Sequence, residues 1–522
     1  MDLLTLSRLQ FGMTAFYHFL FVPLTLGLAF MIAILKTIYL KNKDERLDKL
    51  AMFLMKLFAI NFAVGVATGL TMEFEFGTNW FEYSKFVGDI FGAPLAIEGL
   101  MAFFLESTFI GLFLFGKDRI SEKMHTFSAW MVALGSTLSA LWILIANSWM
   151  QTPAGYKIVE TEQGVKAVLI DFFEAALNHT TVFRFLHCVN AGYIVGGFFV
   201  MGVMAYYILR NKNTDIAKIG LKFALIFTAL VSLLQIIFGD IHGYQVTHGQ
   251  PLKMAMMEGK WENEKGASLD LFGVIDQEKQ ETKVLLEVPY LLSILSFHDP
   301  NAEFKGIKEL VREYQQIAKE AKEKIPVLEQ KIAELQNSNA SKEELEKLKS
   351  ELAMAKANAK AYDITFDDLP SVALVFTTFH LMVYLGFYFV FITLWGLWLL
   401  KRGKLFENRT YLWILVLSVP LPWIATELGW IATEVGRQPW IVQGVMLTKD
   451  AVSFHVGTTN VLFSFIFFLT IYTLIFFVFL YAMIKAIRKG ITPNDAMKIG
   501  RTSGSAGNIA NITAFVKADK RF

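Results

Sequence analysis

Nine stretches of this chain are each apolar over a length that crosses the ~30 Å hydrocarbon core of a bilayer. They lie near 12–38, 51–73, 93–116, 125–149, 182–209, 216–240, 371–399, 411–432 and 459–485. No other feature constrains the fold as hard, because hydrocarbon offers the backbone no water to bond. The expected fold is all-α: a polytopic membrane protein with nine transmembrane helices. Composition agrees, with 54% of the 522 residues hydrophobic and 48 of them Phe, well above the apolar share of soluble domains. A net charge of +2 gives no basis for a nucleic-acid partner. The one cysteine, Cys188, excludes an intrachain disulfide and a cysteine-only metal site. The N-terminus has no basic run before a short apolar core and no small-residue cleavage site, so the first apolar segment reads as a retained span.

Lysine and arginine in the short loops set the orientation. Lys41, Lys43, Arg46 and Lys49 fill the first loop, and Lys117, Arg119 and Lys123 the third. Arg210, Lys212 and Lys218 fill the fifth, and Lys401, Arg402, Lys404 and Arg409 the seventh. The tail carries Lys485, Arg488, Lys489, Lys498 and Arg501, and the intervening short loops hold few basic residues. The N-terminus is therefore expected outside and the C-terminus in the cytoplasm. The chain divides into spans 1–6 (1–240), a large extracytoplasmic loop (241–370), spans 7–9 (371–485) and a cytoplasmic tail (486–522).

Within the loop, 303–336 and 341–362 read as two charged helices joined by a turn at Asn337-Ser-Asn-Ala. Ser341 with Glu344 makes a capping-box signature, and Leu345, Leu348 and Leu352 give a narrow apolar stripe. A helical hairpin that covers something explains this part. The earlier stretch differs, since Asp240, His242, His248, Lys253, Glu258 and Trp261 crowd next to the membrane.

Polar residues inside the spans narrow the function. Glu427 and Glu434 are seven residues apart, near one helical face. They read either as a structural pair with Arg437 or as a ligand or proton-relay site. His18, His187, Met382 and Glu434 all fall in the outer half. Imidazole, thioether and carboxylate ligate iron; a His/Met pair suits a low-spin electron-transfer haem, and a single ligand leaves an open position for a gas. The bland alternative is a set of satisfied buried polar groups. Glu98 and Glu106 in span 3, about 80° apart around an α-helix, join Ser107 and Ser139 as material for a proton relay. Helix–helix hydrogen bonding fits the serines better than the glutamates. A secondary transporter would also use such acids, but the matched broken helices of an inverted repeat are not visible.

Several long blocks resemble subunit I of the cytochrome bd quinol oxidases. They are Tyr17-His18-Phe-Leu-Phe-Val-Pro-Leu-Thr-Leu-Gly, Gly65-Val-Ala-Thr-Gly-Leu-Thr-Met-Glu73-Phe, Gly92-Ala-Pro-Leu-Ala-Ile-Glu98-Gly-Leu-Met-Ala-Phe-Phe-Leu-Glu106-Ser-Thr, Ala133-Leu-Gly-Ser-Thr-Leu-Ser139-Ala-Leu-Trp and Gly436-Arg437-Gln-Pro-Trp440. The resemblance covers nearly the whole chain, and the long loop is similar to the extended quinol-binding loop of that family. It implies three haems: a low-spin heme b, a high-spin heme b and heme d. By motif position, His187 and Met382 hold the low-spin haem, while His18 and Glu434 each ligate one oxygen-site haem, with Arg437 beside them. His18 is assigned to haem d, and an exchange of the two stays open. Glu98 sits beside haem d, and Glu106, Ser107 and Ser139 carry protons to it. Lys253 and Glu258, with Asp240, match the quinol-binding positions. The implied activity is oxidation of ubiquinol or menaquinol at the outer face and reduction of oxygen to water with protons from the cytoplasm, which makes a membrane potential without a pump. The implied partners are subunit II, a small single-span subunit and membrane lipid, in a bacterial cytoplasmic (inner) membrane. One departure stands out: His380 occupies a position where the family often carries Arg, two residues before Met382. Two residues apart on a helix, they point to nearly opposite sides. Met382 keeps the family position, so it is the expected ligand, and the shorter His380 is expected to give the haem less electrostatic support.

Overall fold

The structure, a computed structural model, describes residues 2–162, 164–337 and 341–491. Most of the expected turn after Asn337, and the tail beyond Ile491 with Lys498 and Arg501, lie outside the described residues.

Among the described residues, nine helices are long and apolar enough to cross a membrane: Leu3–Asn42, Glu45–Gly77, Phe81–Gly116, Glu122–Gln151, Thr181–Leu209, Thr214–Gly249, Val372–Lys401, Arg409–Val435 and Thr458–Lys489. They are numbered spans 1–9 below. Side-chain caps mark several starts, since Ser121 Oγ accepts from Met124 N and Ser371 Oγ from Leu374 N. Three spans run beyond the apolar windows. Span 1 begins nine residues early because Ser7, Gln10 and Thr14 face inward and are buried, so a hydropathy window discounts a helix that shows its apolar side to lipid. Span 3 starts at Phe81 because its first turns pack on a hairpin, Tyr156–Thr161 with Gly164–Leu169. Span 6 continues past Asp240 to Gly249, where Gly249 and Pro251 end it. The boundary expected at 240 therefore falls inside a helix.

Four two-stranded antiparallel sheets, all between spans, were not expected from the sequence. The longest joins Leu269–Asp276 to Glu281–Val288. The loop also holds a short helix, Pro251–Met257, and the two expected helices, observed at Ile307–Gln336 and Lys342–Ala361. These two pack on each other. Ser341 Oγ caps the second by accepting from Glu344 N at 3.2 Å, and Ser350 Oγ fastens it to Ile158 O of the hairpin at 3.1 Å.

Spans 1, 2, 5 and 6 share a dry core of Leu, Ile, Met and Phe. Spans 1 and 5 meet glycine on glycine: a Cβ on Gly27 would lie 2.6 Å from Gly192 O and Gly196 Cα. Small residues let membrane helices meet backbone to backbone. Gly27→Val should therefore force spans 1 and 5 apart, at a cost of about 1–3 kcal/mol for an overpacked core. Thermal unfolding of purified protein should show a lowered midpoint for Gly27→Val. Gly12→Ala, whose new methyl would meet nothing within 4 Å, should be neutral.

Candidate functional site

Span 1 is two helices, Leu3–Phe19 and Val22–Asn42. Pro23 has no N–H to give Phe19 O, so the ladder breaks here. Neighbouring spans bond the backbone beside the break: Trp423 Nε1 donates to Leu20 O at 2.8 Å, and Asn61 Nδ2 adds a second donor at 2.7 Å to Phe21 O, which also accepts from Thr25 N. His18 sits just before this break. Thr68 Oγ1 donates to Gly65 O at 3.0 Å, so its lone pair accepts the Nδ1–H of His18 at 2.9 Å. That fixes the tautomer and leaves Nε2 as the nitrogen with a free lone pair, the usual support for a metal-binding histidine. The ring lies close over span 2, where a Cβ on Gly69 would come within 3.0 Å of His18 Cε1.

Span 4 carries a polar rail. Ser136, Ser139, Asn147 and Gln151 fall within about 120° of one helical face. Each receives a group from another element. Ser136 Oγ donates to Glu106 Oε1 and Ser139 Oγ to Glu98 Oε1, the latter at 2.6 Å. Asn147 Nδ2 and Gln151 Nε2 donate to Glu434 Oε1 at 2.8 and 3.2 Å. Both span 3 glutamates reach this rail because Glu98–Phe103 is a π-helix, a wider turn that recurs at functional sites. Gly135 gives the room, since a Cβ there would lie 2.8 Å from Glu106 Cβ. Ser107 is turned away from Glu106 and donates to Phe103 O at 2.7 Å.

Glu434 ends span 8 and is also gripped by Arg437, Nη2 at 2.5 Å and Nε at 3.2 Å from Oε2. The pair with Arg437 is thus present, with both guanidinium donors on the single oxygen Oε2. Glu427 differs: it is 7% exposed, and among the described residues neither oxygen has a hydrogen-bond partner.

His187 in span 5 lies against span 6, with Gln235 Nε2 3.2 Å from His187 O and Asn190 Nδ2 2.6 Å from Gln235 Oε1. The ring centre is 5.5 Å from that of His242. Met382 rests on span 8, where a Cβ on Gly429 would lie 2.7 Å from Met382 Sδ. Spans 5, 6, 7 and 8 pack together, so His187 and Met382 belong to one four-helix group. As the spacing predicts, His380 points elsewhere. Its Nδ1 bonds Phe376 O at 2.9 Å and its ring packs among Phe376, Phe379 and Tyr384.

The three loop-side residues are not brought together. Lys253 and Glu258 are both buried, at 3% and 2% exposure, but they face opposite ways. Lys253 Nζ turns to the rail, 2.7 Å from Gln151 Oε1 and 3.0 Å from Gln250 Oε1. Burial, and then the charge of Arg184, pull its ammonium well below the usual lysine range. Glu258 lies in the electrostatic reach of Asp270 and Lys260, and Asp270 in turn bonds Lys260 at 3.0 Å. Burial, and then the charge of Asp270, push the Glu258 carboxyl up to about 8. Asp240 is exposed on span 6, with no hydrogen bond or ion pair among the described residues.

Sequence reasoning passed over Ser136, Asn147, Gln151, Arg184 and Gln235. The first three share a face with Ser139 at helical spacings, which was a readable signal. Arg184 carried one too, as an arginine one turn from His187 in an apolar span. Gln235 offered none.

The sequence profile of cytochrome bd terminal oxidase subunit I matches residues 6–491. The chain is 40% identical to cytochrome bd-II ubiquinol oxidase subunit 1 of Escherichia coli (strain K12), over 94% of this chain and 97% of that one. It is 37% identical to cytochrome bd ubiquinol oxidase subunit 1 of Bacillus subtilis (strain 168), over 94% of each. Among solved structures it resembles the bd oxidase from Geobacillus thermodenitrificans, with a TM-score of 0.77 and 26% identity over 94% of this chain and 99% of that one. With a profile spanning nearly all of its nine apolar helices, this chain is a membrane protein that belongs to the cytochrome bd terminal oxidase subunit I family.

Proposed function

We propose that the chain is the haem-bearing subunit of a quinol oxidase, taking electrons from ubiquinol or menaquinol at the outer face of a bacterial cytoplasmic membrane and passing them to oxygen. The observation that carries this reading is the rail on span 4, which aligns Glu106, Glu98 and Glu434 on one helix face. In the proposed orientation, with the N-terminus and the 241–370 loop outside, the rail runs from mid-membrane to the quinol side.

The residues fit haem unevenly. His18 suits iron, with Nδ1 held and Nε2 open. His187 and Met382 suit a low-spin haem from one helix group. Glu434 has the right charge, but Asn147, Gln151 and Arg437 already make four contacts to its two oxygens, so taking iron requires one of these donors to move aside. Haem, when bound, supplies electron transfer and the oxygen chemistry, as a low-spin b, a high-spin b and a haem d. The chain supplies proton control. Glu258 accepts a proton from quinol. Glu106 takes protons arriving from the cytoplasm and hands them along Ser136 and Ser139 to Glu98. Protons leave on one side and enter on the other, which separates charge without a pump. Subunit II and a small single-span subunit suit the bare faces: only 11% of the apolar window of span 9 and 28% of that of span 3 are buried within the chain.

A reduced-minus-oxidised spectrum of the purified protein should show the low-spin b, high-spin b and d bands, and their absence overturns the proposal. Because Glu258 is protonated below pH ~8, its availability as a base should rise with pH through about 8. Quinol oxidation should follow, and Glu258→Gln should flatten that rise while leaving every haem band in place. Glu106→Leu should slow oxygen consumption about 100-fold or more, on the scale of losing a positioned proton donor, and should spare reduction of the haems by quinol. Gly429→Ala should push Met382 Sδ off span 8 and weaken the low-spin b signal as Met382→Ala does, with His380→Ala leaving it intact. If only His380→Ala abolishes that signal, the ligand pair is wrong.

A further inference from the structure

The outer half of the membrane region holds more positive charge than the chain neutralises. Arg184, Lys253, Arg437 and Glu434 lie close enough to feel one another's charges. Three are basic side chains and one is an acid; burial beside Arg184 disfavours the Lys253 ammonium, and an anion placed there would restore it. Glu434 is committed to Arg437 at 2.5 Å. Among the described residues, Lys253 meets only the neutral amide oxygens of Gln151 and Gln250. Arg184 is 2% exposed, and its Nε and Nη2 have no hydrogen-bond partner among the described residues. An uncompensated charge in a low-dielectric interior is strongly unfavourable, and a buried guanidinium with unmade bonds adds to that cost.

A neutral quinol would leave both cations uncompensated. A group carrying two carboxylates on one edge matches them in number and sign, and guanidinium and ammonium are the ordinary donors to carboxylate. Haem carries two propionates on one edge. Arg184 is one turn from His187, and Lys253 is one amide away from Glu434 through Gln151, so both cations stand beside proposed iron ligands.

We propose that Arg184 and Lys253 form a carboxylate-binding cradle that seats the two propionates of a haem beside Glu434. This rests on the proposed function, and it reassigns Lys253 from quinol binding to haem seating. Glu258, which faces the hairpin strand Leu269–Asp276, keeps the quinol role alone.

The test uses the complete oxidase purified with its native subunits, as Lys253→Met, Lys253→Arg and Arg184→Gln. Redox potentiometry is followed at each haem band, and KM for quinol is measured alongside. Removing a nearby positive charge favours ferric over ferrous haem. One haem should therefore titrate at a lower potential in Lys253→Met and in Arg184→Gln. Lys253→Arg should restore it, and KM should stay within twofold of the parent. If Arg184→Gln yields no folded protein, the two Lys253 variants decide. All midpoints unchanged in Lys253→Met, with a KM raised tenfold or more, would return Lys253 to the quinol site and overturn the cradle. Unchanged midpoints with unchanged KM would overturn it as well. Absence of all haem bands in the parent would instead overturn the proposed function, and the cradle with it.

Discussion

A carboxylate inside a membrane span has to find donors, and the rest of this molecule is arranged around how Glu434 finds its own. Arg437 comes from the turn that follows the same helix, while Asn147 and Gln151 come from span 4. Meeting that demand ties the C-terminal end of span 8 to span 4. Span 4 also takes Glu98 and Glu106 from span 3, and through Gln151 it takes Lys253 from the loop. One helix face thus gathers groups from span 3, span 8 and the loop. The serines and amides that do so are weak in isolation. In a low-dielectric interior they matter because the alternative is an orphaned charge.

Breaks in regular helix fall where chemistry is expected, and each break is compensated. Pro23 interrupts span 1 beside His18, and Trp423 and Asn61 bond Leu20 O and Phe21 O next to the break. The π-turn at Glu98–Phe103 swings two carboxylates onto one neighbour. At the Pro23 break the backbone groups are met by side chains of spans 2 and 8, and at the π-turn the two glutamates are met by serines of span 4. That is how a helical fold obtains directed groups without loops in the membrane.

The spans themselves were plain in the sequence because hydrocarbon enforces length and apolarity. Their ends were not. Ser7, Gln10 and Thr14 are polar yet buried, and Glu82, Lys85 and Asp89 extend span 3 on the hairpin side; packing on protein overrides hydropathy in both cases. The hairpins escaped notice for a related reason: Leu285, Leu286 and Val288 are exposed, so their strands lack the one-sided pattern that marks a half-buried strand. The site residues were legible as residue types at suggestive depths. Which way they faced was not. Lys253 and Glu258 look like a pair five residues apart, but five residues turn a helix through about 140° relative to each other, and the short helix Pro251–Met257 sends Lys253 to the end of span 4 and leaves Glu258 facing the loop.

The arrangement below Glu106 bears on how charge separation could work without a pump. Toward the end that faces inward in the proposed orientation, Ile110, Phe113, Ala129, Val132 and Ala133 are all buried and close the space between spans 3 and 4. Beyond them His125 Nε2 bonds Phe113 O at 2.9 Å, and Asp48 is held between Lys36 at 2.5 Å and Lys117 at 2.6 Å. Glu106 and Phe113 are seven residues apart, about 10 Å along the helix. A carboxylate on the serine rail and a charged cluster at the inner end are therefore divided by one apolar layer. Such a layer resists the return of a proton once Glu106 holds it. In the proposed orientation, proton supply to the rail then depends on transient hydration of that layer, and the direction of charge movement follows from where the layer sits and needs no change in helix packing.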